Sequence, residues 1–485
     1  MIQGAVFNVL DYGATGDGST DDWAAIQAAI DAAQPTKGAV YLPAPSSKYA
    51  ISKPLVLDDG QQLIGESRES CIIEKTTTAT PSPALGTVTV TRAGTPVTYD
   101  YDKNAIIVIK KPSGRAYPNG IGIHNITLQG KSGVTVEYGI YAPRLSRSHF
   151  SDVYINLVTN GVFTYDTFTC LFERIDVWNT SYGFNWANDG SGVGTGTSCT
   201  FTACGVNVAD VYGWYFYGLV YSSVVGSFAE SIVSAVAGNR PVAWFFNLCR
   251  GLSVISCGSE IVKGYVFRIA AGSVNIRGGD FNPIFGDTFG ADTAVVQVDN
   301  GAKVTIDGGT RFGATTTPGN IYNEIVIGSG TLLIYDGTVT RPSGGNTNPL
   351  FTGGGEIVVL GAAGQGFTRQ VSSGTFYAVE STTSDTNVPT ADFRLTNPTT
   401  GFGFSCVTEP VAANRILQWQ NSSALGTGGW EWFSSDAGFN KVRLGVYNDG
   451  NLKISPPLTP TAGALVGYIT VNIDGTDRKI PYYAV

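Results

Sequence analysis

Residues 138–186 read YGIYAPRLSRSHFSDVYINLVTNGVFTYDTFTCLFERIDVWNTSYGFNW. The run they open, Tyr138 to Pro283, decides the fold because it repeats. Gly139-Ile140-Tyr141 opens one line and Gly161-Val162-Phe163 the next. Gly183-Phe184-Asn185, Gly213-Trp214-Tyr215, Pro241-Val242-Ala243 and Gly264-Tyr265-Val266 follow, with spacings of 22, 22, 30, 28 and 23 residues. A second column, Phe150, Phe172, Phe201, Val224, Val254 and Ile276, trails the first. An insertion in the third line, which contains Gly190 to Thr197, shifts both columns together. A fixed period in this range marks a solenoid, in which each repeat buries its apolar face on its neighbours. The lines are rich in β-branched and aromatic residues with local alternation, so the repeat unit is built of strands. One coil per 22 to 30 residues describes a parallel β-helix.

Composition narrows the function classes. Of 485 residues, 62 are Gly and 14% are charged, which suits an all-β chain with many turns. A net charge of −8 argues against nucleic acid and anionic membranes as partners. No apolar run is long enough for a transmembrane helix, and the N-terminus lacks the basic and apolar regions of a secretory signal. Two His and no paired CxxC argue against a metal site, and no cofactor is expected. Cys170 and Cys199 share one repeat column, and Cys204 and Cys257 another. Buried thiols in a chain made in a reducing cytoplasm account for this pattern.

Upstream of the repeat, residues 5–34 carry a helix. Ser19 or Thr20 is the expected N-cap, with Asp21 and Asp22 in the first turn and Trp23, Ile26, Gln27 and Ile30 on one face. Such a helix covers the open end of a solenoid, whose strand edges are otherwise unpaired. Tyr49–Ile51, Leu55–Leu57, Gln62–Ile64 and Cys71–Glu74 read as the first coils. Residues 84–104 read as a hairpin inserted between coils, and Ile106–Ile109 and Ile121–Leu128 resume the stack. Beyond Pro283, Ile306-Asp307-Gly308-Gly309 and Ile334-Tyr335-Asp336-Gly337 echo Ile276-Arg277-Gly278-Gly279, and Glu356–Leu360 reads as the last coil.

The stretch from Asn8 to Pro43 contains DYGATGDGSTDD (residues 11–22), an Ala-rich helix and GAVYLP (residues 38–43). It resembles the opening of the pectate-lyase-like β-helix domain of bacteriophage tailspikes and capsule depolymerases. The resemblance covers about 36 residues and is specific to the fold rather than to a reaction. It implies an all-β chain: a right-handed parallel β-helix with a short N-terminal capping helix, followed by a C-terminal β-sandwich, in a homotrimer. It also implies that Asp17, Asp21 and Asp22 are turn and cap residues. The expected domains are an N-terminal cap at 1–48, the β-helix at 49–362, a linker at 363–390, a β-sandwich at 391–455 and a trimerising strand pair at 456–485. Tailspikes of this kind carry a virion-anchoring segment before the β-helix. Here the motif begins within ten residues of Met1, so either the sequence is trimmed or attachment is through another tail or baseplate protein.

The columns also place side chains. Residues three and five after each anchor read as interior, so those at four and six point outward. The plus-four column is Tyr154, Asp176, Gly205, Phe228, Gly258 and Asp280, and the plus-six column is Asn156, Trp178, Asn207, Glu230, Glu260 and Asn282. Exposed aromatics, amides and paired carboxylates are the chemistry of a glycan groove. Stacked on successive coils ~4.8 Å apart, Glu230 and Glu260 would hold their carboxyls roughly 5 Å apart, or 7 to 9 Å when splayed. Either suits an acid and a base or nucleophile, and mutual repulsion raises one pKa, as a general acid needs. Asp280 is the third catalytic candidate. Trp178, Asp176, Tyr154, Phe228, Asn207 and Asn282 are substrate-binding candidates. The plain alternatives are surface carboxylates at 230 and 260, a turn role for Asp280, and sheet-stabilising or intersubunit aromatics.

The expected function is a phage tailspike endoglycosidase on the virion tail, hydrolysing a bacterial surface polysaccharide (capsule, exopolysaccharide or O-antigen) outside the cell during host adsorption. A lyase would use His149 or Tyr154 as base, with Arg147 or Arg174 neutralising a uronate. The acidic net charge and the lack of a His or Lys base on the outward columns disfavour elimination. A non-catalytic spike would bind glycan on the same face, or on Trp419, Trp430 and Trp432. The Gly-rich stretch 190–197 lacks the Lys-Ser/Thr of a phosphate loop and reads as a loop bordering the groove.

Overall fold

A computed structural model describes residues 5–283 except 93, 112–115, 192–195 and 235–239, then the strands and their flanks from 294 to 359, and thereafter strands alone. By its internal contacts the chain divides into two units: Met1–Ala362 with Phe367–Ser373, and Ala363–Gly366 with Gly374–Val485.

The first unit is a parallel β-helix whose coils each contribute three strands. Tyr138–Tyr141, Arg144–Ser146 and His149–Asn156 make one coil. They pair in parallel with Asn160–Thr164, Asp166–Phe168 and Leu171–Trp186 of the next. Corners between strands fall on residues with positive φ, repeated in register: Arg147, Thr169, Ser198 and Tyr221; Asp152, Arg174, Ala203 and Ser256; Leu157, Asn179, Val208, Ser231 and Ile261. A single left-handed residue turns the strand while leaving both flanks extended and free to pair.

The interior is filled by two aromatic ladders. Phe150, Phe172 and Phe201 stack nearly parallel with centroids 5.1 and 4.9 Å apart. Phe184, Trp214, Trp244 and Phe267 stack at 4.2, 5.0 and 6.0 Å. Buried indoles need acceptors. Trp214 Nε1 donates to the Phe228 carbonyl and Trp244 Nε1 to Ser259 Oγ.

Register corrects one column of the sequence reading. Ile140, Val162, Phe184, Trp214, Trp244 and Phe267 are successive partners, so Gly139, Gly161 and Gly183 are followed by Gly213, Ala243 and Val266, not by Pro241 and Gly264. The physical requirement at this column is a small side chain. A Cβ at Gly139 would lie 2.5 Å from Ile155 Cγ2, and one at Gly183 would lie 2.5 Å from the Gly213 carbonyl oxygen. A Cβ at Gly213 would lie 3.2 Å from Ala229 Cβ and 2.7 Å from the Ala243 carbonyl oxygen, and Ala243 is the next residue of the column. Likewise Ile276 pairs with Ile306, but Ile306 pairs with Tyr335, so Ile334 stands one residue off the expected echo.

The N-terminal helix spans Trp23–Ala33 and buries Ile26, Ala29, Ile30 and Ala33. Its N-cap is Asp22, not Ser19 or Thr20, because Asp17 holds the amides of both Ser19 and Thr20 in a turn. Asp22 instead accepts from the amides of Thr15 and Gly16, and Asp21 from those of Trp23 and Ser52. These acids fix backbone, as the resemblance implied. Gln27 bonds both backbone groups of Val56, fastening the helix to the first coils. The hairpin Thr87–Arg92 with Thr95–Asp100 is antiparallel and lies where the sequence placed it. Cys71, Cys170, Cys199, Cys204, Cys249 and Cys257 are free and buried.

In the second unit, Phe376–Ser381, Ala391–Asn397 and Phe402–Cys406 pair antiparallel, as do Gly429–Asp436 with Phe439–Tyr447, and Leu465–Ile473 with Thr476–Tyr483. Trp419 lies outside the described residues.

Candidate active site

The two outward columns exist as read. Tyr154, Asp176, Gly205, Phe228, Gly258 and Asp280 are successive register partners, and so are Asn156, Trp178, Asn207, Glu230, Glu260 and Asn282. The residues between them face the interior: Val153, Ile155, Ile175, Val177, Cys204, Val206, Ala229, Ser259 and Phe281 are all buried.

Glu230 and Glu260 are direct partners on the strands Phe228–Ile232 and Gly258–Val262. They line a shallow pocket of about 400 Å³ together with Phe228, Gly258, Gly279, Asp280 and Asn282. Their surroundings differ. Glu230 is half-buried and Glu260 is exposed. Asn207 Nδ2 donates to Glu230 Oε2 at 3.2 Å. Burial, and then the neighbouring Glu260 charge, push the Glu230 carboxyl above its ordinary range. Asp280 lies in the same pocket, but Arg311 on the next coil holds both its oxygens, at 3.0 and 3.1 Å. That contact ties Asp280 to a structural ion pair.

The aromatic candidates differ from the expected exposed row. Phe228 is half-buried because its ring folds over Gly205, where a Cβ would collide with it. Tyr154 is half-buried, tilted against Trp178 with centroids 6.2 Å apart. Trp178 is the exposed ring of the three. Asp176 is engaged by Arg68 Nη1 at 2.7 Å, and burial nevertheless raises its pKa against that cation. Arg68 was not legible from sequence. It sits in the connection between Gln62–Gly65 and Ile72–Lys75 and reaches across coils.

A second polar cluster lies before the bend at Asp152, on residues 122–124 and 149–151 and the coil that follows. The His124 and His149 rings meet edge to face at 5.0 Å. His124 Nδ1 contacts Ser151 Oγ at 2.8 Å, and burial, then His149, lower its pKa to about 4. His149 Nε2 is 3.4 Å from Glu173 Oε2. Arg174 clasps Asp152 with two bonds of 2.7 Å and also contacts Glu173. Arg174, one of the two arginines a lyase would enlist, is thus already paired with two carboxylates.

The stretch 190–197 does not border the groove where the structure describes it. Asp189, at its start, is buried against Arg92 of the hairpin at 2.9 Å, and Gly196–Thr197 forms a strand of the stack. Arg92 also contacts buried Asp166 at 2.8 Å, and Tyr117 donates to Asp166 at 2.6 Å. A slightly larger pocket of about 430 Å³ lies elsewhere, lined by Lys131–Val136, Leu157–Thr159, Asn179–Ser181, Val208–Asp210 and Val233. It has one carboxylate, Asp210, and no acid pair. Among the described residues, no group of His, Cys, Asp or Glu is arranged to hold a metal.

Residues 6–209 match the family described as rhamnogalacturonase A/epimerase, pectate lyase-like. Curated relatives from Azotobacter vinelandii align over short stretches. Mannuronan C5-epimerase AlgE3 is 43% identical over 82 residues, 15% of this chain and 4% of the relative. Alginate lyase 7 is 52% identical over 59 residues, 12% of this chain and 7% of the relative. The chain spans between 4% and 14% of the length of the curated relatives it matches. Among solved structures, the tailspike of Acinetobacter phage vb_AbaP_AS12 superposes with a TM-score of 0.67 at 17% identity, over 95% of this chain and 84% of that one. DFA-IIIase from Arthrobacter chlorophenolicus A6 does so at 0.50 and 12%, over 71% and 87%. In its matched residues and its coil architecture, the solenoid of this chain is a pectate-lyase-like parallel β-helix, the fold it shares with phage tailspikes.

Proposed function

We propose that the chain is a polysaccharide depolymerase that hydrolyses glycosidic bonds at the Glu230–Glu260 pair. The observation that carries this is the pairing of two glutamates in register in one pocket, with burial and the neighbouring Glu260 charge raising the pKa of the half-buried Glu230. Glu230 gives its proton to the leaving glycosidic oxygen as the C–O bond breaks. Glu260 either takes a proton from the attacking water or attacks the anomeric carbon itself, water then releasing the sugar. Asn207 orients Glu230, and Trp178 and Asn282 hold the chain on either side. The likeness to a phage tailspike supports a homotrimer on a virion tail, acting on a bacterial surface polysaccharide outside the cell. The C-terminal strands from 391 to 485 then serve as a sandwich and trimerising pair.

The epimerase and lyase relatives favour a second reading, proton abstraction at a uronate by His149 or Tyr154. Arg174 is engaged by Asp152 and Glu173, so this reading rests on the exposed Arg147 as the cation for the uronate. The test is depolymerisation of a panel of purified bacterial surface polysaccharides by wild type, Glu230→Gln and Glu260→Gln. Oligosaccharides carrying one added water, lost in either variant, are the expected result. Unsaturated products absorbing in the ultraviolet would install elimination instead. Glycan binding without cleavage would make the chain a receptor-binding spike.

A further inference from the structure

Charge in the groove restricts the substrate. The described residues lining the pocket include three carboxylates, Glu230, Glu260 and Asp280, and no Lys or Arg. The nearest guanidinium, Arg311, is bonded to both oxygens of Asp280. Arg277, 71% exposed, lies 4.0 Å from Asp307 on the following coil. Setting Arg311 against Asp280 leaves two carboxyl groups in the pocket without a cation. Upstream along the columns, the remaining acid is Asp176, with Arg68 at 2.7 Å, and the other side chains are Tyr154, Asn156, Trp178 and Asn207. Among the described residues of the pocket lining and the two columns, the face offers amides and rings to hydroxyls, and no lysine or arginine to an anionic sugar.

We infer that the glycan taken by this groove is uncharged where it crosses Glu230, Glu260 and Asp280, and is not a polyuronate. The inference rests on the hydrolase reading and deepens it by naming the substrate class. A uronate carboxylate placed within a few ångströms of the Glu260 carboxylate is repelled in a partly desolvated site, and no cation among the described lining residues compensates it. A neutral sugar meets no such penalty and lays its hydroxyls against the Asn207 and Asn282 amides. The columns run along the solenoid axis, one coil every ~4.8 Å, so a chain of neutral sugars has a continuous track from the Tyr154 coil to the Asp280 coil.

The experiment sorts the polysaccharide panel by uronate content. Cleavage by wild type is measured by product mass, and binding by Glu230→Gln is measured with the same polymers, each uronate polymer also in its carboxyl-reduced form. Cleavage and binding confined to uronate-free repeats are expected, with carboxyl reduction strengthening binding at least about tenfold wherever the reduced chain binds. KM for the cleaved polymer should change less than about twofold between about 20 and 500 mM NaCl, since a neutral ligand has no charge to screen. Hydrolysis of a uronate-containing repeat at the Glu pair would overturn this inference and leave the hydrolase reading standing. Unsaturated products would overturn both. Binding of no polymer in either form would remove the groove as a glycan site.

Discussion

Asn207 and Glu230 are register partners on adjacent coils, and the Asn207 amide donates to Glu230 Oε2 across 3.2 Å. On its other side Glu230 faces Glu260. One neighbour orients the carboxyl and the other makes its ionisation unfavourable. The Glu230 proton should therefore bind less tightly in Glu260→Gln than in wild type. Carboxyl NMR titration should show the Glu230 midpoint falling when the Glu260 charge is removed, and an unmoved midpoint would refute the coupling. Asn207→Ala should lower kcat about tenfold with a smaller change in KM, because it disorders the acid without removing it.

The glycine column gives a stability prediction. At Gly183 a methyl group meets the Gly213 carbonyl oxygen at 2.5 Å and also strikes Val206. Gly183→Ala should destabilise the solenoid by about 1–3 kcal/mol through overpacking. Ala243 already occupies a position of this column, so Ala243→Gly should cost only the smaller loss of one methyl and added backbone freedom. Denaturant unfolding of both variants checks the contrast.

His124 predicts an acid-sensitive first segment. Its folded pKa is lowered to about 4 from a model-compound value of 6.5. Below 6.5 the unfolded chain takes up the proton and the folded chain does not, so stability falls as pH drops from about 6.5 toward about 4. His124→Asn should flatten that part of the curve. Melting temperatures of both proteins between those pH values measure it, and parallel curves would count against the histidine as the source.

Arg92 should govern the docking of the hairpin. Its guanidinium lies between Asp166 and Asp189, whose side chains are fully buried. Arg92→Met removes the Arg92 cation from Asp189 and leaves Asp166 with Arg144 at 3.6 Å, and should cost about 3–5 kcal/mol. Adding Asp166→Asn and Asp189→Asn should recover part of it. Hydrogen exchange across residues 87–100 should rise first in the single variant.

The solenoid was legible because its period is written in large residues. Phe150, Phe172 and Phe201 recur wherever the interior must be filled, and side-chain alternation on the strand then assigns every outward position between them. The slip at Pro241 and Gly264 has a local cause. The column goes on from Gly213 to Ala243 and Val266, so glycine stops marking it, and Pro241 and Gly264 fall two residues ahead of it. The placement of the candidate glutamates followed from the same alternation, since a pair in register is a property of spacing.

What sequence spacing did not contain is the reach of side chains between coils and from connections. Arg68 meets Asp176, Arg311 meets Asp280, and Arg92 meets Asp166 and Asp189 across separations that no repeat records. Phe228 lies down because Gly205 leaves it room. By itself the sequence determined the fold, the columns and the register of Glu230 with Glu260, because backbone pairing and burial act on every coil alike. Only the tertiary structure decided which carboxylates are neutralised and which stand without a cation. That depends on long flexible side chains finding partners in three dimensions, one contact at a time.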